Sequence, residues 1–258
     1  MTDRVARESF ASALQRLSAA QKPAARSAPA YSRFVNRRLG RVLAAAAQSA
    51  GLSPNAVTGI SAVFTFSSLV LLVLLPPSWP LGIGIALLLL VGYALDSADG
   101  QLSRLQGTSS PAGEWLDHMV DSVKVVSIPV ALTIAVARFD YAPGAWVLVP
   151  LLGSIVASSL FFSIILTEQL RRAHGTASLA SDAPGRPSWR RALAVLPMDY
   201  GVLCLSFVLL GAPLLFFVVY ALIQLFTAVF LVLAAAKWFR EISAWEPARR
   251  RDPAGEQA

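Results

Sequence analysis

Cysteine is almost absent: Cys204 is the only one among 258 residues. A disulfide scaffold and a cysteine-ligated metal are thereby excluded, and Cys204, set in an apolar run, reads as inert packing. Histidine is nearly as scarce, with only His118 and His174, so no histidine cluster is available for zinc. Charge is the third scarcity. Only 14% of residues are charged, against roughly 25% in soluble domains, while 55% are hydrophobic and the mean hydropathy is +0.59. Disorder and an ordinary cytosolic enzyme are excluded, and the length fits one integral membrane domain. The first thirty residues carry no apolar stretch before a small-residue cleavage site, so no secretory leader is expected, and no internal repeat is visible.

What the chain does have is long apolar runs. A spanning helix needs roughly 20 mostly apolar residues. Six stretches approach that length, near 55–76, 80–97, 113–137, 144–167, 192–211 and 213–236. Pro76, Pro77 and Pro80 separate the first pair, Asp140 to Gly144 the third and fourth, and Gly211 to Pro213 the last, which predicts tight turns between antiparallel helices. Trp79, Trp115, Trp146, Trp189 and Trp238 fall near predicted helix ends, as interfacial anchors would.

The net charge is +7, and its distribution indicates topology. Basic residues gather before the first run (Arg33, Arg37, Arg38 and Arg41 among them), over 171–191 and after Lys237, leaving Arg138 on the opposite side. The positive-inside rule therefore places both termini, the 98–112 loop and the 168–191 loop in the cytoplasm, in a plasma membrane of bacterial type. Basic clusters so placed point to anionic head groups rather than nucleic acid. Residues 31–49 carry Tyr31, Phe34, Val35, Leu39, Val42 and Leu43 at spacings of three and four with arginines between, which predicts an amphipathic helix on the membrane surface. The expected fold is thus all-α and polytopic: a mobile tail over 1–28, a juxtamembrane amphipathic helix over 29–50, six transmembrane helices over 51–240 and a basic tail over 241–258.

Five acids lie within 26 positions where lipid should be: Asp96, Asp99, Glu114, Asp117 and Asp121. A buried intramembrane carboxylate is costly, so such residues are functional candidates. Spacing by three puts Asp96 and Asp99 on one helix face, and spacing by four does the same for Gly113, Asp117 and Asp121. Two antiparallel helices can present four carboxylates to one cytoplasm-facing cavity. Acids that merely face water at helix ends would account for Asp96 and Asp99 but not for Asp121, two turns further in. Four anions need cations, and an all-oxygen set suits Mg²⁺, Mn²⁺ or Ca²⁺. Two such ions held by shared carboxylates serve substitution at phosphorus. Gly100 permits close approach, Arg104 offers a planar fork for phosphate, and Gly113 leaves room for a substrate.

Asp96-Ser-Ala-Asp99-Gly100-Gln-Leu-Ser103-Arg104, then eight residues, then Gly113-x-x-x-Asp117-x-x-x-Asp121 resembles the signature of the CDP-alcohol phosphotransferase family, Asp-x-x-Asp-Gly-x-x-Ala-Arg-x8-Gly-x-x-x-Asp-x-x-x-Asp. Ser103 for Ala is the single departure, and Pro54-Asn55-x-x-Thr58 is similar to a Pro-Asn-x-x-Thr stretch of that family. The resemblance implies transfer of a phospho-alcohol group from a CDP-alcohol to an acceptor hydroxyl, with release of CMP, in phospholipid or related lipid synthesis. It implies Mg²⁺ or Mn²⁺, two ions in all, on Asp96, Asp99, Asp117 and Asp121, with Asp121 also near the attacking hydroxyl. It places Gly100, Ser103, Arg104 and Gly113 at the CDP site, with Asn55 and Thr58 beside them, and it implies a homodimer.

The run Ser109-Ser110-Pro111-Ala-Gly113-Glu114-Trp-Leu-Asp117-His118-Met-Val-Asp121-Ser122 is further similar to one in choline and ethanolamine phosphotransferases. That branch carries the small alcohol on CDP and uses a lipid acceptor. Glu114 and His118, four apart, then form a second candidate for the base, beside Asp121. Lys124 lies three residues past Asp121: it either neutralises the aspartates, snorkels, or binds a phosphate on a polyol-phosphate acceptor. The rival function is a cation-coupled transporter using the carboxylates, although the repeated halves and broken helices of transporters are not seen.

Overall fold

A computed structural model describes residues 8–20, 29–140, 144–179 and 196–245. Among the described residues every regular element is helical, as the composition requires. The order is α1 (Phe10–Ala19), α2 (Arg37–Ala50, entered through a wider turn at Ser32–Asn36), α3 (Pro54–Leu74), α4 (Trp79–Gln106), α5 (Pro111–Phe139), α6 (Leu148–Ala173, led in by Gly144–Val147), α7 (Tyr200–Ser206, tightening into Phe207–Gly211) and α8 (Pro213–Ser243).

Three long helices start by one device. Ser53, Ser78 and Ser110 are extended, and their hydroxyls accept the N–H groups of Ala56 (3.2 Å), Leu81 (3.3 Å) and Gly113 (3.1 Å). Pro54, Pro80 and Pro111 follow in the first turn, where an N–H has no helical partner to lose. Gly107, at φ 65°, ends α4 and turns the chain straight back into α5.

Five helices are long and apolar enough to cross a membrane: Pro54–Leu74, Trp79–Gln106, Pro111–Phe139, Gly144–Ala173 and Pro213–Ser243. Where a sixth span is expected, the described residues hold only the short apolar helix Tyr200–Gly211. At 1.5 Å per residue it rises about 18 Å, short of a hydrocarbon core of about 30 Å. Four of the five, all but Pro54–Leu74, also outrun their apolar stretches. α4 continues past residue 97 to Gln106, so the expected 98–112 loop shrinks to a turn and Asp96 and Asp99 sit inside a helix. α6 likewise absorbs Arg171 and Arg172.

Within the expected tail, Phe10–Ala19 is helical. Ser9 caps this helix by accepting the N–H of Ser12 at 3.3 Å, and Ala13 and Leu17, one turn apart, bury a small face. α2 has the expected helical character but divides differently. Its small residues Gly40, Ala44, Ala45 and Ala47 are buried, while Phe34, Val35, Leu39 and Val42 stay exposed. A Cβ on Gly40 would lie 2.7 Å from Ser97 Oγ, so the small residues let α2 approach α4 closely. Of the expected tryptophan anchors, Trp79 and Trp115 are exposed, but Trp238 is buried and Trp146 packs against Phe217 with the rings tilted by 59° and their centroids 6.0 Å apart. Trp189, Arg186, Arg190, Arg191 and the tail segments 1–7, 21–28 and 246–258 lie outside the described residues.

Two cores result. One, built from α3, α4, α5, α7 and α8, packs large side chains such as Leu72, Leu89, Leu132, Phe207, Phe216 and Tyr220, and it encloses Cys204. The other joins α1 and α2 to the ends of α3 and α4 through Ala13, Leu17, Ala44, Ala45, Val57, Ala98 and Leu102. The functional candidates stand at the small-residue end.

Candidate active site

The turn after Gly107 lays α4 and α5 side by side, and their helical periods do the rest. Asp96, Asp99 and Asp117 each bring an oxygen into a group whose members lie within 4.8 Å of one another. α3 supplies the support: the Thr58 hydroxyl donates to Asp99 Oδ2 at 2.6 Å, and both side chains are buried. Close helix packing makes this reach possible. A Cβ on Gly92 would lie 2.6 Å from Thr65 Oγ1 and 3.2 Å from the Ser61 carbonyl, so α4 could not sit this near α3 with any larger residue there.

Asp121 stands outside the trio. It pairs with Lys124, 3.2 Å from Nζ, and the same ammonium contacts Asp96 Oδ1 and donates to Ser61 Oγ at 3.1 Å. Lys124 is 6% exposed, so this cation is internal to the bundle rather than snorkelling to the surface. Unit charges 4.8 Å apart repel by about 3.5 kcal/mol at an effective dielectric of about 20. Lys124 offsets one negative charge of the four and leaves an anionic, all-oxygen donor set that fits a hard divalent cation.

Beside the trio lies a cavity of about 590 Å³. Asn55, Thr58, Asp99, Gly100, Ser103, Gly113, Glu114 and Asp117 all line it, which brings together most of the residues singled out from the sequence. Ser103 is tied to Ser109 across the turn, Oγ to Oγ at 3.1 Å, so its extra hydroxyl has a partner on the wall and need not meet a ligand. A Cβ on Gly113 would sit 3.3 Å from Ser110 Oγ and 3.6 Å from Asn55 Oδ1, so a side chain here would crowd the α3–α5 junction. Arg104 is exposed and off the lining, with its guanidinium 3.6 Å from where a Gly100 Cβ would stand. A second, deeper space of about 150 Å³ is bounded by Asp96, Asp121 and Lys124 together with Thr65, Tyr93, Val125, Phe161 and Tyr200.

His118 lines neither space. Its Nε2 is 3.7 Å from Glu114 Oε1, beyond hydrogen-bond distance, and its ring meets Phe161 edge-on with centroids 6.5 Å apart. Glu114 is instead bonded by Arg172 at 2.6 Å, which ties the start of α5 to the end of α6. Arg171 makes the matching tie to Glu241 of α8, also at 2.6 Å.

Sequence reasoning missed Asp199. Only 1% exposed, it accepts the backbone N–H groups of Tyr31 (2.7 Å), Ser32 (3.2 Å) and Gly201 (3.1 Å), fastening the entry of α2 to α7. An Asp just before an apolar helical run is a capping signal and could have been read as one. Ser61 as a Lys124 partner had no local signal.

A family model for CDP-alcohol phosphatidyltransferase matches residues 52–239, nearly three-quarters of the chain. The chain belongs to that family. The match begins at the loop before α3, so α1 and α2 stand outside the region that defines the family. Cholinephosphotransferase 1 of Xenopus laevis is 33% identical over 99 residues, covering 36% of this chain. The match spans only 24% of that relative's own length. The five long apolar helices fit an integral membrane protein.

Proposed function

We propose that the chain transfers a phosphorylated small alcohol from a CDP-alcohol to the hydroxyl of a neutral lipid such as diacylglycerol, releasing CMP. The observation that carries the reading is the convergence of Asp96, Asp99 and Asp117, of which Asp99 and Asp117 line the 590 Å³ cavity and Asp96 the deeper space beside it. The Ser109–Ser122 run and the likeness to a cholinephosphotransferase favour the small alcohol on the donor. Lys124 adds to this, because its ammonium is already held by two carboxylates and a hydroxyl, leaving no donor for an acceptor phosphate. No observation favours ion-coupled transport.

In this reading Asp96, Asp99 and Asp117 hold Mg²⁺ or Mn²⁺, which when bound neutralises charge on the pyrophosphate. Asn55, Thr58, Gly100, Ser103 and Gly113 shape the space for the cytidine diphosphate, and Arg104 approaches its phosphates from the rim. Thr58 fixes Asp99 by its hydrogen bond. The acceptor hydroxyl attacks the phosphorus that carries the alcohol, the bond from that phosphorus to CMP breaks, and CMP leaves. The hydroxyl proton passes to Asp121, which faces the deeper space next to Asp96, rather than to His118, which faces neither space. Glu114 and Arg172 act as a structural tie.

The placement in the membrane is part of the same proposal. Both chain ends and the aspartates face the cytoplasm, which requires the segment ending in α7 to serve as a crossing beside the five long helices. α1 and α2 lie along that surface with Phe34, Leu39 and Val42 toward lipid, and two copies form a homodimer. The test is CMP release in detergent, with CDP-choline, CDP-ethanolamine and CDP-diacylglycerol offered against diacylglycerol and polyol phosphates. Turnover with a CDP-amino-alcohol and diacylglycerol is expected. Turnover only with CDP-diacylglycerol and a polyol phosphate would overturn the donor assignment, and none with any pair would overturn the reading.

A further inference from the structure

Lys124 is where this site departs from a plain cluster of carboxylates. It lies one turn beyond Asp121 on α5, and its side chain is 7% exposed. All three of its N–H donors have partners: Asp96 Oδ1 in direct contact, Asp121 Oδ1 at 3.2 Å and Ser61 Oγ at 3.1 Å. Ser61 in turn spends its own proton on the Gly92 carbonyl at 2.9 Å, so its oxygen can only accept from the ammonium. The ammonium is thus built in from three sides, by residues of α3, α4 and α5.

Its place matters as much as its charge. A divalent ion shared between Asp96 and Asp121 through the oxygens that face each other would lie where the ammonium now sits, about 2.1 Å from each. The trio of Asp96, Asp99 and Asp117 also has oxygens within 4.8 Å of one another, and of the three Lys124 contacts Asp96 alone. One cation position is therefore filled covalently by the chain, and one is left to solution.

We propose that the Lys124 ammonium is a tethered stand-in for a second divalent ion, so that the site takes one Mg²⁺ or Mn²⁺, held by Asp96, Asp99 and Asp117, with Asp121 bound to lysine rather than to metal. This rests on the metal reading given above and replaces the pair of ions expected from the sequence. The geometry also assigns Lys124 a positioning role: it holds Asp121 beside Asp96 while it neutralises both.

The test counts Mn²⁺ per chain on purified, metal-stripped protein by titration with electron paramagnetic resonance, which reports bound ions without turnover. Wild type should bind one Mn²⁺, and Lys124→Met, which keeps the length and removes the charge, should bind two, with the line broadening of a neighbouring pair. Asp121→Asn should still bind one. Two ions in wild type, or a count of one in Lys124→Met, would overturn the proposal, as would loss of an ion in Asp121→Asn. If Lys124→Met does not fold, the wild-type and Asp121→Asn counts decide alone. No bound Mn²⁺ in wild type would overturn the metal reading itself, a distinct result.

Discussion

The two ends of the bundle are packed by opposite rules. At one end Phe207, Phe216, Phe217, Tyr220 and Leu132 fill the space between helices with bulk, every one of them under 2% exposed. At the other, Gly40, Gly92, Ala44, Ala45 and Ala98 bring backbones together. Bulk gives stability through buried area, whereas small residues give proximity, which lets short side chains such as Thr58 and Ser61 on α3 reach Asp99 and Lys124. The difference teaches where precision resides: the chemistry-bearing groups are positioned by close backbones and hydroxyls, and the aromatic end serves as the anchor.

Substitutions should separate the two ends. The largest effect is expected at the trio itself: Asp99→Asn and Asp117→Asn should each lower CMP release by about 10³-fold or more with the chain still folded. Gly92→Leu should come next. Its side chain would push α4 from α3, so turnover should fall roughly 10²-fold although no carboxylate is touched; near-normal turnover would break the claim that close packing sets the site.

Asp121→Asn should cost about 10²-fold in turnover with CDP-alcohol binding retained, while His118→Ala should stay within about threefold. The reverse ranking would return the base to the histidine. Phe216→Ala at the opposite end should cost about 3–5 kcal/mol of stability, read as a lower Tm, with kcat of the surviving protein unchanged. Ser103→Ala, the smallest change, should shift kcat/KM by less than about threefold, because its hydroxyl already bonds Ser109.

Much of the site was legible because its rule is local. Spacings of three and four place Asp96 with Asp99, and Gly113 with Asp117, on shared faces of any helix that contains them, and the structure brings three of the four aspartates together. Helix lengths were read less well. Hydropathy follows contact with lipid, not backbone hydrogen bonding, so α4 ran on through Gln101 to Gln106 where the apolar run had stopped. The same blindness hid α1, whose buried face is only Ala13 and Leu17. Pairings between distant elements had no pattern to betray them: Ser61 with Lys124, Asp199 with Tyr31, Arg172 with Glu114. The last of these gives Glu114 a second partner besides His118, whose Nε2 lies 3.7 Å from it.

The central claim is that the trio and its cavity serve transfer of a phospho-alcohol group. It is tested most directly with CDP-choline labelled separately on its two phosphates, incubated with diacylglycerol, Mg²⁺ and the purified protein. The account predicts that the phosphate next to choline enters the lipid, that the phosphate next to cytidine leaves in CMP, and that Asp99→Asn abolishes both. Label in the lipid from the cytidine-side phosphate, or release of free phosphocholine with no labelled lipid, would contradict it.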